Sequence, residues 1–134
     1  MSIQSINPLN GKLIKKYTED KESDVISKID KGHKAWLKWK TTSFDQREKL
    51  LLNAAKILKE RKEELAALMA AEMGKPLKEG ISEIEKCALV CEYYAANGKD
   101  FLKNQVIKTD AKKSYVSFQP NGVLLAVMLW NFPF

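Results

Sequence analysis

Val123-Leu124-Leu125-Ala126-Val127-Met128 is an unbroken apolar run close to the end of the chain. A run of this kind suits a strand covered on both faces, as strands are in a parallel sheet. Such a strand needs neighbours, and each crossover to a parallel neighbour consumes a dozen or more residues. Only Leu129-Trp130-Asn131-Phe132-Pro133-Phe134 follow. They leave no room for a crossover helix or a second parallel strand, and all but one are apolar or proline. A finished domain rarely stops on an unpaired buried strand followed by exposed aromatics. The expectation is an α/β protein of which the chain holds only an amino-terminal part, cut by gene truncation, frameshift or choice of expressed segment.

The residues before this run read as helices. A helix is expected from a Ser23 N-cap, with Val25, Ile26, Ile29, Trp36 and Trp39 at near-helical spacing and Gly32 as a weak point inside it. Ser43-Phe44-Asp45-Gln46 fits a capping box. The run after it carries Leu50, Leu51, Ala54, Ile57, Leu58, Leu65, Leu68 and Met69, as one long helix or two with a break near residues 61–63. Gly74 supplies a C′ residue, with Pro76 shortly beyond. A third helix is expected over residues 77–102, its apolar face made of Ile81, Ile84, Ala88, Cys91, Tyr94 and Ala95. Ahead of all these, Asn7-Pro8 and Asn10-Gly11 are turn dipeptides before Leu13 and Ile14, as in a hairpin or looped strand. Residues 105–107 and 114–118 are short strand-like runs around a polar turn, and the second alternates as a half-buried hairpin would. The organisation expected is therefore helical over 23–103, a hairpin over 104–119, and a first parallel strand with its turn over 123–134.

Charge and cysteine content narrow the function classes. The 23 basic residues are interleaved with 17 acidic ones, as in Lys59-Glu60-Arg61-Lys62-Glu63-Glu64, so the net charge of +6 reads as solvated helix faces and not as a nucleic-acid footprint. No apolar run approaches the roughly 20 residues that span a bilayer, and Met1-Ser2-Ile3-Gln4 does not open a secretory signal. A cytoplasmic protein with no membrane or nucleic-acid partner is expected. Cys87 and Cys91, spaced i,i+4, read as small core residues. Neither has a context that lowers a thiol pKa. With His33 the sole histidine, a zinc set is not assembled, and no metal is expected. Trp36, Trp39 and Phe44 could form a stacking surface, but aromatics at this spacing are more often core.

Three segments together resemble the aldehyde dehydrogenase superfamily, in order and at suitable spacing. These are Asn7-Pro8-Leu9-Asn10-Gly11; Glu72-Met73-Gly74-Lys75-Pro76-Leu77, like the succinate-semialdehyde branch; and Gln119-Pro120-Asn121-Gly122-Val123 through Phe134. The last is the most specific, and it carries Leu129 where the family usually has proline before Trp-Asn-Phe-Pro. The resemblance implies an aldehyde dehydrogenase-like fold, here the amino-terminal helices, an oligomerisation-type hairpin and the first strand of the cofactor-domain sheet. It implies oxidation of an aldehyde, such as succinate semialdehyde, to a carboxylate with NAD or NADP. It assigns Asn131 as the oxyanion stabiliser. A neutral amide N–H aimed at the oxygen that gains charge stabilises the transition state more than the ground state, and losing one such donor costs about 10²–10³ in rate. It places Val127, Met128, Trp130 and Asn131 at the dinucleotide groove. From spacing alone, an asparagine after an apolar strand is a turn residue.

The resemblance also makes the 104–119 hairpin, with Tyr115, Val116 and Phe118, a homo-oligomer contact; packing on the chain's own helices is the equal reading from spacing. The family's nucleophilic cysteine, general-base glutamate and phosphate-contacting glycine turn lie beyond the Asn131 motif. Cys87 and Cys91 precede it and match none of them. The chain alone is expected to be inactive, with a non-enzymatic interaction module as the alternative.

Overall fold

The computed structural model describes residues 3–134; Met1 and Ser2, on which the reading of the amino terminus partly rests, lie outside the described residues. Two antiparallel strands open it, β1 (Ile3–Ile6) and β2 (Leu13–Tyr17), with Ile3 opposite Tyr17 and a bulge between Ser5 and Ile6. The turn between them is built by asparagines. Asn7 Oδ1 accepts from the Leu9 amide at 2.9 Å, and Asn10 Oδ1 accepts from the Lys12 amide at 3.0 Å. Each side chain satisfies the amide two residues on, which is the physical content of the turn dipeptides.

Four helices follow: α1 (Glu22–Trp39), α2 (Phe44–Glu60), α3 (Lys62–Met73) and α4 (Leu77–Phe101). The first begins two residues earlier than a Ser23 cap would place it. Lys21 is the N-cap, and the Asp24 carboxylate accepts from the Lys21 amide at 3.2 Å. An acid at the third position thus satisfies the orphan donor, and its charge suits the helix N-terminus. The Ser43–Gln46 capping box forms as expected, with reciprocal bonds of 3.2 and 3.0 Å. Arg47 ties α1 to α2: its guanidinium donates to the Trp39 and Lys40 carbonyls at 3.1 and 3.3 Å and to Thr42 Oγ1 at 2.9 Å. Those carbonyls, left without intrahelical partners, are capped by a residue of the next helix.

The long apolar run is two helices, broken at Arg61, whose φ and ψ of −105° and 13° leave the helical region. The third helix stops at Gly74, which takes φ 76° and donates its amide to Ala70 at 3.0 Å. Glycine adopts this left-handed conformation without a Cβ penalty.

Both α2 and α3 pack on α4. The helix α4 buries Gly80, Glu83, Ile84, Ala88 and Ala95, a stripe at helical spacing. Ile84 is fully buried against Ala66 and Met69, with Leu58, Leu65, Met73 and Ile81 around them. Burying one such side chain contributes about 1.5–3 kcal/mol. The seam is narrow because its residues are small: a Cβ at Gly80 would lie 3.1 Å from Ala66 Cβ and 3.2 Å from Ala66 Cα. Tyr94, expected on this face, is instead exposed and stacks edge-on against Tyr93. Cys87 and Cys91 are half-buried rather than core.

Two strand expectations change. The hairpin is reduced to β3 (Gln105–Val106) and β4 (Tyr115–Val116), and Val106, Tyr115, Val116 and Phe118 are all exposed, so neither face is covered. The expected buried strand over residues 123–128 pairs with nothing among the described residues, and Leu125 is 92% exposed. The reason is the one that made the run conspicuous: a strand buried on both faces needs flanking strands and covering helices, and the two small sheets pair only β1 with β2 and β3 with β4. Among the described residues no helix is long and apolar enough to cross a membrane.

The α3–α4 seam generates a paired prediction. Gly80→Ala gains helix propensity but forces a methyl against the Ala66 backbone, so it costs a net ~1 kcal/mol or more. Gly98→Ala, in the same helix with nothing within 4 Å of the added Cβ, stabilises by about 0.5–1 kcal/mol. Urea titration of both variants followed by circular dichroism checks the opposite signs.

Candidate functional site

The three sequence segments that stood out converge in space. The opening hairpin docks on the end of α3: Ser5 Oγ donates to Glu72 Oε1 at 2.9 Å, and Pro8 lies against Gly74, where a Cβ would be 3.3 Å from its ring. Between hairpin, α3 and the chain's last residues lies a cleft of about 710 Å³. Ser5, Ile6 and Pro8 line one wall, Met69 and Glu72 another, and Met128, Leu129, Trp130, Pro133 and Phe134 the third. The cleft is mainly apolar with a carboxylate at its edge.

The terminal motif forms a tight turn. The Phe132 amide donates to the Leu129 carbonyl at 3.3 Å, and residues 129 and 132 form an isolated bridge. Leu129 therefore closes the turn through its backbone, a role its side chain does not limit. Against the same turn sits a buried ion pair. Lys75 Nζ and Glu83 Oε2 are in direct contact, and the two residues are each 7% exposed. Lys75 Nζ also donates to the Asn131 carbonyl at 3.1 Å and lies 4.0 Å from the Phe132 ring centroid. Glu83 Oε1 accepts from the Phe134 amide at 3.3 Å. The Asn131 carbonyl is thereby anchored to a residue 56 positions earlier.

The predicted site residues divide. Met128 and Trp130 line the cleft; Val127 and Asn131 do not. Val127 is 84% exposed in the unpaired run before the turn. The Asn131 side chain is exposed and makes no hydrogen bond among the described residues, so its amide donors are open to an incoming acceptor. Lys75, Glu83 and Phe132, which meet at the turn, are not singled out by the sequence. The signal for Glu83 was available: it falls between Gly80 and Ile84 on the buried stripe of α4, where an acid needs a partner. No cue in spacing points Lys75 at Asn131.

Cys87, one turn from Glu83, has a thiol pushed above its ordinary value, first by burial and then by the negative charge of Glu83 and Cys91; Lys86 offsets this only in part. A thiol held neutral is a poor nucleophile.

Fold and sequence together place the protein in a known class. Across residues 1–134 the sequence matches the aldehyde dehydrogenase family, and the chain belongs to that family. It is 42% identical to a probable succinate-semialdehyde dehydrogenase [NADP(+)] of Synechocystis sp., over 100% of this chain and 30% of that protein. It is 37% identical to the succinate-semialdehyde dehydrogenase [NADP(+)] of Mycobacterium avium, over 99% of this chain and 29% of that protein. The crystal structure of succinic semialdehyde dehydrogenase from Streptococcus pyogenes in complex with NADP+ superimposes with a TM-score of 0.91 at 29% identity, covering 97% of this chain and 29% of that one. The P. syringae indole-3-acetaldehyde dehydrogenase AldA gives 0.87 at 26% identity, covering 98% and 27%. The chain spans about 30% of the length of the curated relatives it matches.

The state of Cys87 is directly measurable. In a Cys91→Ser variant, labelling by a thiol reagent should be slow at neutral pH and accelerate only as pH rises past the ordinary thiol value of 9.0. Rapid labelling at neutral pH contradicts this environment.

Proposed function

We propose that this chain supplies the oxyanion-stabilising turn and one wall of the substrate and cofactor groove of an NADP- or NAD-dependent aldehyde dehydrogenase, with succinate semialdehyde the favoured substrate. The observation that carries the reading is the convergence of the three family segments on one cleft, with Trp130 on its wall and Asn131 next to it in the turn that the Leu129–Phe132 bridge closes. The naming of the relatives as NADP(+)-dependent succinate-semialdehyde dehydrogenases supports the substrate and the cofactor.

The reaction converts an aldehyde, water and NADP+ into a carboxylate, NADPH and two protons. A cysteine thiolate adds to the carbonyl carbon, and the C=O π electrons move onto oxygen. An amide N–H of Asn131 donates to that oxygen as its charge grows, which lowers the barrier without a proton to lose. The dinucleotide, when bound, accepts the hydride. Val127, Met128 and Trp130 suit its flat ring: they are apolar or aromatic, exposed, and carried on backbone outside any sheet. Cys87 and Cys91 do not supply the thiolate, since both precede the motif and sit on the helical layer. The nucleophile and the general base come from outside these 134 residues, so the chain alone has no turnover.

Aldehyde-dependent NADPH formation tests this in two settings. The purified chain should give none; turnover there sinks the division of labour. In a chimera where these residues replace the matching segment of the Synechocystis relative, Asn131→Ala should lower kcat by about 10²–10³ with little change in KM. An unchanged kcat would remove Asn131 from the role.

A second reading, association through exposed apolar surface, is favoured by α1, which fully buries none of its residues, and by the uncovered hairpin β3–β4. Exposed strand edges of this kind pair with another chain. Size-exclusion chromatography over a concentration series should show association through the 104–119 hairpin; a clean monomer at every concentration counts against it.

A further inference from the structure

The buried Lys75–Glu83 pair has more contacts than an ion pair needs, and the extra ones go to three residues of the terminal motif, Asn131, Phe132 and Phe134. The cation takes a carbonyl, that of Asn131, at 3.1 Å. The anion takes an amide, that of Phe134, at 3.3 Å. The peptide unit joining Asn131 to Phe132 is held at both ends: Lys75 binds its C=O, and the Leu129 carbonyl binds its N–H at 3.3 Å. A planar unit fixed at both ends fixes the backbone torsion beside it, and so the direction from which the Asn131 side chain springs. The Phe132 ring, 4.0 Å from the Lys75 ammonium, adds a cation–π contact that sets the ring beside the pair.

We propose that Lys75 and Glu83 are positioning residues: a polar latch, seated at the α3–α4 junction, that holds the Asn131 turn in register with the helical core. The inference rests on the reading of Asn131 as the carbonyl-polarising amide, and it assigns the pair a task beyond stability. The polarity of the latch is its specific feature. A lysine can only donate and a carboxylate can only accept, so the two charges read the opposite backbone groups of one strand of chain. Lys75 gains its place from Gly74, whose left-handed φ of 76° ends α3, and from Pro76, the N-cap of α4. Glu83 gains its place from the buried stripe of α4.

The test uses the unmodified 134-residue chain and two variants, followed by amide hydrogen exchange and backbone relaxation in NMR. In the unmodified chain the Phe134 amide should be protected; exchange at the rate of a free chain end overturns the latch without any variant. Lys75→Met/Glu83→Leu removes both charges together, which avoids leaving one buried and unpaired. It should keep the melting transition and the protection of α3 and α4, while the Phe134 amide exchanges about 10–100 times faster, as expected for loss of a hydrogen bond to a charged group. A folded double variant whose residues 130–134 remain as ordered as before overturns the proposal. Asn131→Ala should leave the order of these residues unchanged. If that variant loosens the turn while the double variant does not, the Asn131 side chain is structural and the oxyanion reading falls with the latch. If both variants loosen it, the latch stands and only the oxyanion reading falls.

Discussion

Two opposite charges buried at a helix junction hold the last residues of this chain. Taking Lys75 and Glu83 out of water is unfavourable unless each finds its counter-charge and its remaining hydrogen-bond sites are filled. Each has both: the direct contact with the other, and a backbone group of the terminal motif. Removing one partner of a buried pair costs about 3–5 kcal/mol because the other is left uncompensated. That penalty ties the turn to the core. The Asn131 carbonyl cannot leave without depriving a buried ammonium of an acceptor, and the Phe134 amide cannot leave without exposing an unsatisfied carboxylate oxygen.

The pair in turn depends on the close approach of α3 and α4. Small residues at Ala66 and Gly80 let the two helices touch, and Ile84 fills the seam one turn on. Gly74 ends α3 abruptly enough for Lys75 to fold back on α4. The opening hairpin closes over the same corner through Ser5 with Glu72 and Pro8 with Gly74. So segments from the start, middle and end of the sequence share one corner, and a cleft forms among them with Trp130 on its wall.

Local chemistry was the legible part. The Ser43–Gln46 capping box, the break at Arg61 and the left-handed Gly74 each depend on neighbours a few residues away, and each was readable from residue type and spacing. The family segments point to Asn131 and its surroundings from residue type alone. What was not readable depends on distant partners. Lys75 meets Asn131 across 56 residues, and Glu83 meets Phe134 across 51. The α1 cap failed for a subtler reason: Asp24 reached back to the Lys21 amide and outcompeted a serine cap. The run at residues 123–128 was read as a buried strand, and that failed because a fully apolar strand needs neighbours to pair with and cover it, and none does so among the described residues.

Through two buried charges the helical core holds the Asn131 turn in place. Nuclear Overhauser contacts in the unmodified chain test it most directly. Cross-peaks are expected between the Phe132 ring protons and the Lys75 side chain, given the 4.0 Å separation of Nζ and ring centroid. They should appear alongside contacts between Ala66 and Gly80 across the helix seam. Seam contacts present with Lys75–Phe132 contacts absent would mean that the core folds without holding the turn.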